Sequence, residues 1–232
     1  MCTVSYVPLD VGYVLTSNRD ENPARQTKVP NRIHLKNGTV IYSPLDVLKG
    51  GSWIATDEDG RTACLLNGAF LKHKPELTYR KSRGQIVLDA FNAKDFNTYV
   101  KSIFLEGIEP FTLLLIEPHG IQKLVWDGVQ KHIDRPSVNE YHLWSSVTLY
   151  NSDEHGKKEA YFFEEMSRSG SSIEQILQVH GKDKVTPFIL NHSTLQTVSI
   201  TQVIYNGQKS SLKYVLKDNT NETSNSLSLI CS

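Results

Sequence analysis

The sequence predicts an α+β fold in which two antiparallel β-sheets stack face to face with helices covering them outside. Three observations predict it. The β-type segments come as hairpins joined by short turns, so pairing is antiparallel and a doubly wound parallel sheet is disfavoured. The order is hairpins, two helices, a hairpin, two helices and hairpins again. Finally, 232 residues without an internal repeat or a Pro-rich or Gly/Ser-rich linker suit one substantial core, and the chain is assigned a single domain over 1–232.

Each element follows from local chemistry. Cys2 to Val7 and Val11 to Asn18 are β-type runs around a turn with Pro8, Asp10 and Gly12. A polar stretch with Pro23 and Pro30 follows. Ser52 to Thr56 and Arg61 to Leu66 flank Asp57-Glu58-Asp59-Gly60, a strong turn signal and a second hairpin. From Ser82 the period changes. Ile86, Val87, Phe91, Phe96, Tyr99, Val100, Ile103 and Phe104 recur at amphipathic-helix spacing, in two helices broken near Asn92. Phe111 to Glu117 and Ile121 to Asp127 form a hairpin around Pro118-His119-Gly120. Asp153 to Ser167 is helical, and Ser171-x-x-Glu174 reads as a capping box opening a further helix with Ile173, Ile176 and Leu177. Val198 to Tyr205 and Leu212 to Leu216 make a last hairpin across Asn206-Gly207. Asp218 to Ser226, rich in Asn, Thr and Ser, is a polar tail-like segment or a long hairpin loop.

Composition excludes several function classes. Lysine plus arginine equals aspartate plus glutamate at 25 each, so no net field draws the chain to nucleic acid or an anionic membrane. Ser5, Pro8, Asp10 and Gly12 interrupt any secretory core, and no later run is apolar for long enough to span a bilayer. Cys2, Cys64 and Cys231 are an odd number at wide spacings, neither a disulfide framework nor a zinc pattern, which fits a reducing cytoplasmic setting. The histidines form no His-Glu-x-x-His or Cys-x-x-Cys-His motif, and the acidic turn at 57–60 lacks the distal glutamate of a calcium loop, so no metal is predicted. With no Gly-x-Gly-x-x-Gly and no Walker loop, no cofactor is predicted either.

The chemistry-bearing residues cluster early. Loss of Met1 would leave Cys2 with a nucleophilic thiol and a basic α-amine on one residue, at ordinary pKa values of about 8.5 and about 8. A cysteine here also reads as a small apolar residue. Asn18-Arg19-Asp20-Glu21 follows the second run. Neighbouring side chains of a straight strand face opposite ways, so the chain is expected to leave its strand here, bringing Arg19 and Asp20 toward one pocket. In that position Asp20 would polarise the terminal ammonium, and Arg19 would favour the thiolate or bind a carboxylate. The same four residues also read as a surface salt-bridge cluster ending a strand. Asn67 is a candidate oxyanion donor, an effect worth about 3 kcal/mol, although Asn67-Gly68 also reads as a simple turn. Trp53 reads as core or pocket wall. Ser82 can cap the following helix, Gly84 permits close backbone approach, and Arg83 is placed to pair with Asp20, Glu21 or an anionic substrate group, or to be solvated.

Met1-Cys2, Asn18-Arg19-Asp20-Glu21, Gly50-Gly51-Ser52-Trp53-Ile54, Leu66-Asn67 and Ser82-Arg83-Gly84 together resemble the NRDE family, also called the transport and Golgi organisation 2 family, over roughly the first ninety residues. The segments 143–150 and 197–201 resemble a short bacterial member more loosely. The resemblance implies a four-layer αββα fold of the N-terminal-nucleophile type. It also implies a more distant similarity to cysteine-type penicillin and bile-salt amide hydrolases. Carried over by motif, Cys2 matches the nucleophile, Arg19 and Asp20 the arginine and carboxylate, and Asn67 the oxyanion asparagine. Asn18, Glu21, Trp53 and Arg83 are the substrate-binding candidates. The hydrolases separate their arginine and aspartate by two residues, whereas here they are adjacent. Many family members have Ser-Asn where this chain has Ser145-Ser146.

Two functions compete on this reading. One is hydrolysis of an amide or related C–N bond in a small-molecule acyl ligand. The other is non-catalytic binding or trafficking of a lipid-derived or haem-like ligand. A third possibility is that the N-terminal motif serves only the fold. The oligomeric state is not legible.

Overall fold

A computed structural model describes residues 3–217 and 226–230. In chain order the first strands are β1 (Thr3–Pro8), β2 (Tyr13–Glu21), β3 (Thr27–His34), β4 (Val40–Asp46), β5 (Ile54–Asp57) and β6 (Thr62–Asn67). Helices α1 (Arg83–Asp89) and α2 (Phe96–Ser102) follow, then β7 (Phe111–Glu117), β8 (Gly120–Trp126), β9 (Lys131–Asp134) and β10 (His142–Ser145). Helices α3 (Ser152–Ser169) and α4 (Ile173–Val179) lead to β11 (Gln196–Tyr205), β12 (Ser210–Leu216) and β13 (Ser226–Ile230). One sheet has the order β10-β1-β2-β11-β12-β13 and the other β3-β4-β5-β6-β7-β8-β9, with every pair antiparallel. Helices α1 and α2 lie on the second sheet and α3 and α4 on the first, giving the expected four layers.

The layering explains why β1 and β2 lose their polar alternation, for their residues are buried on both faces. Val4, Tyr6, Tyr13 and Leu15 enter the core between the sheets, where the rings of Tyr6 and Tyr13 stack at 5.6 Å. Val7 and Val14 face the other way, into a core with Phe162, Met166, Ile176 and Phe188 beneath α3 and α4. Tyr13 ties the two sheets with its hydroxyl, which lies 2.6 Å from that of Thr62 and donates to the Gly60 carbonyl at 2.9 Å.

Several expectations need correction. The polar stretch around Pro30, to which the sequence assigns no element, forms β3, which pairs with β4. Pro30 sits where their register shifts, between Lys28 and Asn31, on an edge strand that tolerates a missing N–H. The chain does not leave its strand at Arg19-Asp20; β2 continues to Glu21, and the irregularity falls on its partner β11, between Thr197 and Ser199. Ser82 precedes α1 without a side-chain cap. The cap of α4 is Ser172 rather than Ser171. The capping box lies instead at Asn151 and Glu154, ahead of α3. Of the polar segment Asp218 to Ser226, residues 218–225 lie outside the described residues, as do Cys2 and Cys231, and Ser226 opens β13. Among the described residues no helix is long and apolar enough to cross a membrane.

Candidate functional site

The two-residue period of β2 splits the Asn18-Arg19-Asp20-Glu21 motif across the first sheet. Arg19 reaches toward the second sheet. Its guanidinium donates to Asp46 at 2.9 Å and Thr27 at 2.8 Å and lies 4.5 Å from the centre of the Trp53 ring, a cation–π contact. Arg25 donates to the same Asp46 oxygen at 2.6 Å and pairs with Glu21 at 3.3 Å. Burial pushes the Asp46 carboxyl up. The hydrogen bonds from Arg25 and the Lys49 N–H, with the Arg25 and Arg19 charges, outweigh that and hold it below the usual carboxylate range. Burial pulls Arg19 below its ordinary value, against the Glu21 and Asp46 charges.

Two glycine motifs bring the remaining groups alongside. Ser52 donates its N–H to the Gly84 carbonyl at 2.9 Å, and a Cβ on Gly51 would lie 2.5 Å from the Gly84 carbonyl carbon. Only glycine allows the 50–53 segment to press against the start of α1. That contact sets Trp53 and Arg83 on one cleft. Arg83 does not pair with Asp20 or Glu21. It pairs with Glu109 at 3.0 Å and donates to the Pro110 carbonyl at 3.1 Å. Asn67, the last residue of β6, lines the same cleft, and its backbone oxygen accepts the Ser146 hydroxyl at 2.7 Å.

The cleft, about 110 Å³, thus gathers five sequence-predicted residues, Arg19, Glu21, Trp53, Asn67 and Arg83. The indole Nε1 of Trp53 is buried and without a partner among the described residues, a donor whose desolvation costs about 1–3 kcal/mol until a ligand or water accepts from it.

Asn18 and Asp20 are not in the cleft. They face α3 and α4. Asp20 accepts from the Tyr150 hydroxyl at 2.9 Å and the Thr197 hydroxyl at 2.5 Å. Asn18 donates to the His180 and Phe188 carbonyls at 3.1 and 2.9 Å, which leaves its Oδ1, 2.6 Å from His180 Nδ1, as an acceptor. His180 must then carry its proton on Nδ1, and Nε2 accepts the Ser5 hydroxyl at 2.7 Å. This Ser–His–Asn order has the chemistry of a nucleophilic triad, but Ser5, His180 and Asn18 are each 0% exposed and no substrate reaches them. Burial, with the Lys158 charge behind it, lowers His180 to about 3. Lys158 is itself buried, donating to the Thr3 hydroxyl at 2.9 Å above the Tyr150 ring.

Asp46, Arg25, Glu109, Tyr150 and Thr197 escape sequence reasoning as site partners. Their only local signal is Asp46 standing shortly before Gly50-Gly51. Cys64, the described cysteine, is buried and pushed up to about 12 by burial, so it is inert beside any activated thiol.

The profile of the family described as transport and Golgi organisation 2 matches residues 1–231. The chain belongs to that family. No curated protein sequence matches it. Among solved structures, a mutant conjugated bile acid hydrolase from Clostridium perfringens superposes with TM-score 0.66 at 7% identity, over 98% of this chain and 92% of that one. A second variant of the same hydrolase gives 0.64 at 7% identity, over 97% and 92%. The Caenorhabditis elegans orthologue of N-acylethanolamine-hydrolyzing acid amidase gives 0.62 at 12% identity, over 90% and 98%. At these identities the likeness is one of fold, and the family member shares the N-terminal-nucleophile-type architecture of two stacked antiparallel sheets between helices.

Proposed function

We propose that this protein hydrolyses a C–N amide bond in a small acyl-bearing molecule, with Cys2 as nucleophile. The observation that carries the reading is the cleft itself, where Arg19, Trp53, Asn67 and Arg83 converge beside the start of β1. Thr3, the residue after Cys2, pairs with Asn18, one residue from Arg19. The fold likeness to two kinds of amide-hydrolysing protein supports the same class.

Once Met1 is removed, the α-amine of Cys2 takes the thiol proton and the thiolate adds to the amide carbonyl. Asn67 donates its side-chain N–H to the oxygen that becomes negative. Collapse of the tetrahedral species breaks the C–N bond. The leaving nitrogen takes the proton from the terminal ammonium, and the acyl group stays on sulfur as a thioester. Water, deprotonated by the same amine, then releases a carboxylic acid and restores the thiol. Arg19 and Arg83 give the cleft a cationic wall that suits an anionic or strongly polar substituent.

The test is peptide-level mass spectrometry after incubation with a panel of acyl amides. Acylation of Cys2, with Cys64 untouched, is the expected result, together with thiol alkylation titrating well below about 8.5. Retention of Met1, or a Cys2 that alkylates as an ordinary thiol and is never acylated, would overturn the hydrolase. Such an outcome leaves binding or trafficking of a lipid-derived or haem-like ligand as the better account.

A further inference from the structure

Lys157 and Lys158 are neighbours on α3, and the helical period turns them to different faces. Lys157 is exposed and pairs with Asp153 at 2.7 Å. Lys158 is 3% exposed, with its ammonium in the layer between α3 and the first sheet. There it donates to the Thr3 hydroxyl at 2.9 Å and lies 3.2 Å from the centre of the Tyr150 ring and 5.8 Å from that of Phe188. An ammonium is costly to bury, and this one is carried to the residue that follows Cys2.

The titratable groups around that ammonium come from several elements. Asp20 of β2 is linked to it by Tyr150, whose ring faces Lys158 and whose hydroxyl donates to Asp20 at 2.9 Å. His180, at the end of α4, is lowered by burial first and then by the Lys158 charge. That charge therefore acts across the layer as far as a residue bonded to Asn18, the strand partner of Thr3. His155 lies one turn back on α3, and Glu165, two turns on, is engaged by Arg168 and Lys184. Arg19, next to Asn18 on β2, brings a second cation from the cleft side.

We propose that Lys158 is a positioning residue for Cys2: its ammonium holds Thr3 from the helix layer and sets a fixed positive charge at the start of β1, which keeps the Cys2 α-amine in its free-base form. Consecutive Cα atoms are about 3.8 Å apart, so the charge sits one peptide unit from the residue it acts on. A cation at that range disfavours an ammonium and favours a thiolate. It brings the amine from about 8 toward the neutral range in which a general base works best. The amine is then free to take the thiol proton before sulfur adds to the amide carbonyl. The inference rests on the hydrolase reading, in which Cys2 is the nucleophile.

The experiment follows iodoacetamide alkylation of Cys2 across pH by peptide-level mass spectrometry, in the parent and in Lys158 variants of the full chain. Once Cys2 is alkylated, labelling of its α-amine with fluorodinitrobenzene across pH reads the amine alone. Lys158→Met and Lys158→Gln should each raise both midpoints by about one pH unit. Lys158→Arg, which keeps the charge, should hold them at the parent's values. Glutamine retains a donor for the Thr3 hydroxyl without the charge, so it separates charge from grip and serves alone should the methionine variant fail to fold. A lysine with a merely structural role would lower the unfolding midpoint in Lys158→Met and leave both pH profiles in place. The proposal is overturned if the neutral variants keep the parent's midpoints, or if Lys158→Arg moves them as far as Lys158→Gln does. Failure of the hydrolase reading looks different. Retention of Met1 removes the amine and sinks both ideas, whereas a Cys2 that is never acylated, with midpoints that still shift, sinks hydrolysis alone.

Discussion

On the inward face of β2, Arg19 stacks on Trp53 and shares Asp46 with Arg25 at a cleft open to ligands. On the outward face, Asn18 and Asp20 are held by His180, Thr197 and Tyr150. Four consecutive residues thus serve two tasks, because a strand sends neighbours to opposite sides. The inward pair, Arg19 and Glu21, lines the cleft. The outward pair instead anchors the strand against the layer of α3 and α4 through hydrogen bonds that fill its amide and carboxylate groups.

The comparison breaks most visibly in acid. His180 is lowered to about 3 in the fold, against about 6.5 in an unfolded chain. Below pH 6.5 the unfolded chain takes up a proton that the folded protein refuses, so this contribution is fully present above about 6.5. It is lost as pH falls toward 3, at about 1.4 kcal/mol per pH unit, or roughly 4–5 kcal/mol in all. Urea unfolding between pH 7 and 3.5 should show that slope, and His180→Gln should be less stable at pH 7 yet flatter in acid. An unchanged acid limb in the variant would mean that other groups carry the titration. The next effect is Asn18→Ala, which strands two carbonyls and the His180 Nδ1–H in a dry layer. It should cost about 3 kcal/mol in the same unfolding measurement, while the charged cleft keeps its composition.

Gly51→Ala sharpens the other side. Its Cβ would fall 2.5 Å from backbone carbon and 2.8 Å from the Gln85 nitrogen, so the 50–53 segment must retreat from α1. A loss of about 1–3 kcal/mol in thermal or urea unfolding is expected, with Trp53 fluorescence shifting as the ring leaves Arg19. A variant with native stability and an unaltered spectrum would show that the glycine contact does not position the cleft.

These pairs also tell what a sequence can disclose. The hairpins at 57–60, 118–120 and 206–207 are legible because the turn residues and the alternation act within a few positions. The β3–β4 hairpin is not legible, since Pro30 argues against a strand until an edge bulge is known to hold it. In the same way, Arg19, Glu21, Trp53, Asn67 and Arg83 are legible as motif residues that meet in one cleft, but their partners Asp46 and Glu109 are fixed only by tertiary packing. The expectation that Asp20 shares that cleft fails because β2 stays extended through Glu21, with the bulge taken by β11.

The smallest effect separates Arg83 as a prop from Arg83 as a reader of ligand charge. Glu109→Gln keeps the volume of the side chain and leaves Arg83 its bond to the Pro110 carbonyl, but removes the carboxylate now 3.0 Å from the guanidinium and 3.3 Å from His73. A half-buried pair of this kind is worth at most about 1 kcal/mol, so the unfolding midpoint should move little. The Arg83 guanidinium on the cleft, however, loses the carboxylate that offsets its charge. If Arg83 reads ligand charge, Cys2 should be acylated faster by amides whose leaving group carries a carboxylate than by neutral ones of the same size, and the difference should shrink as salt rises. If the ratio between the two kinds of amide is the same in Glu109→Gln as in the parent, Arg83 serves only to hold the start of α1 against β7, and recognition of charge falls to Arg19 and Arg25.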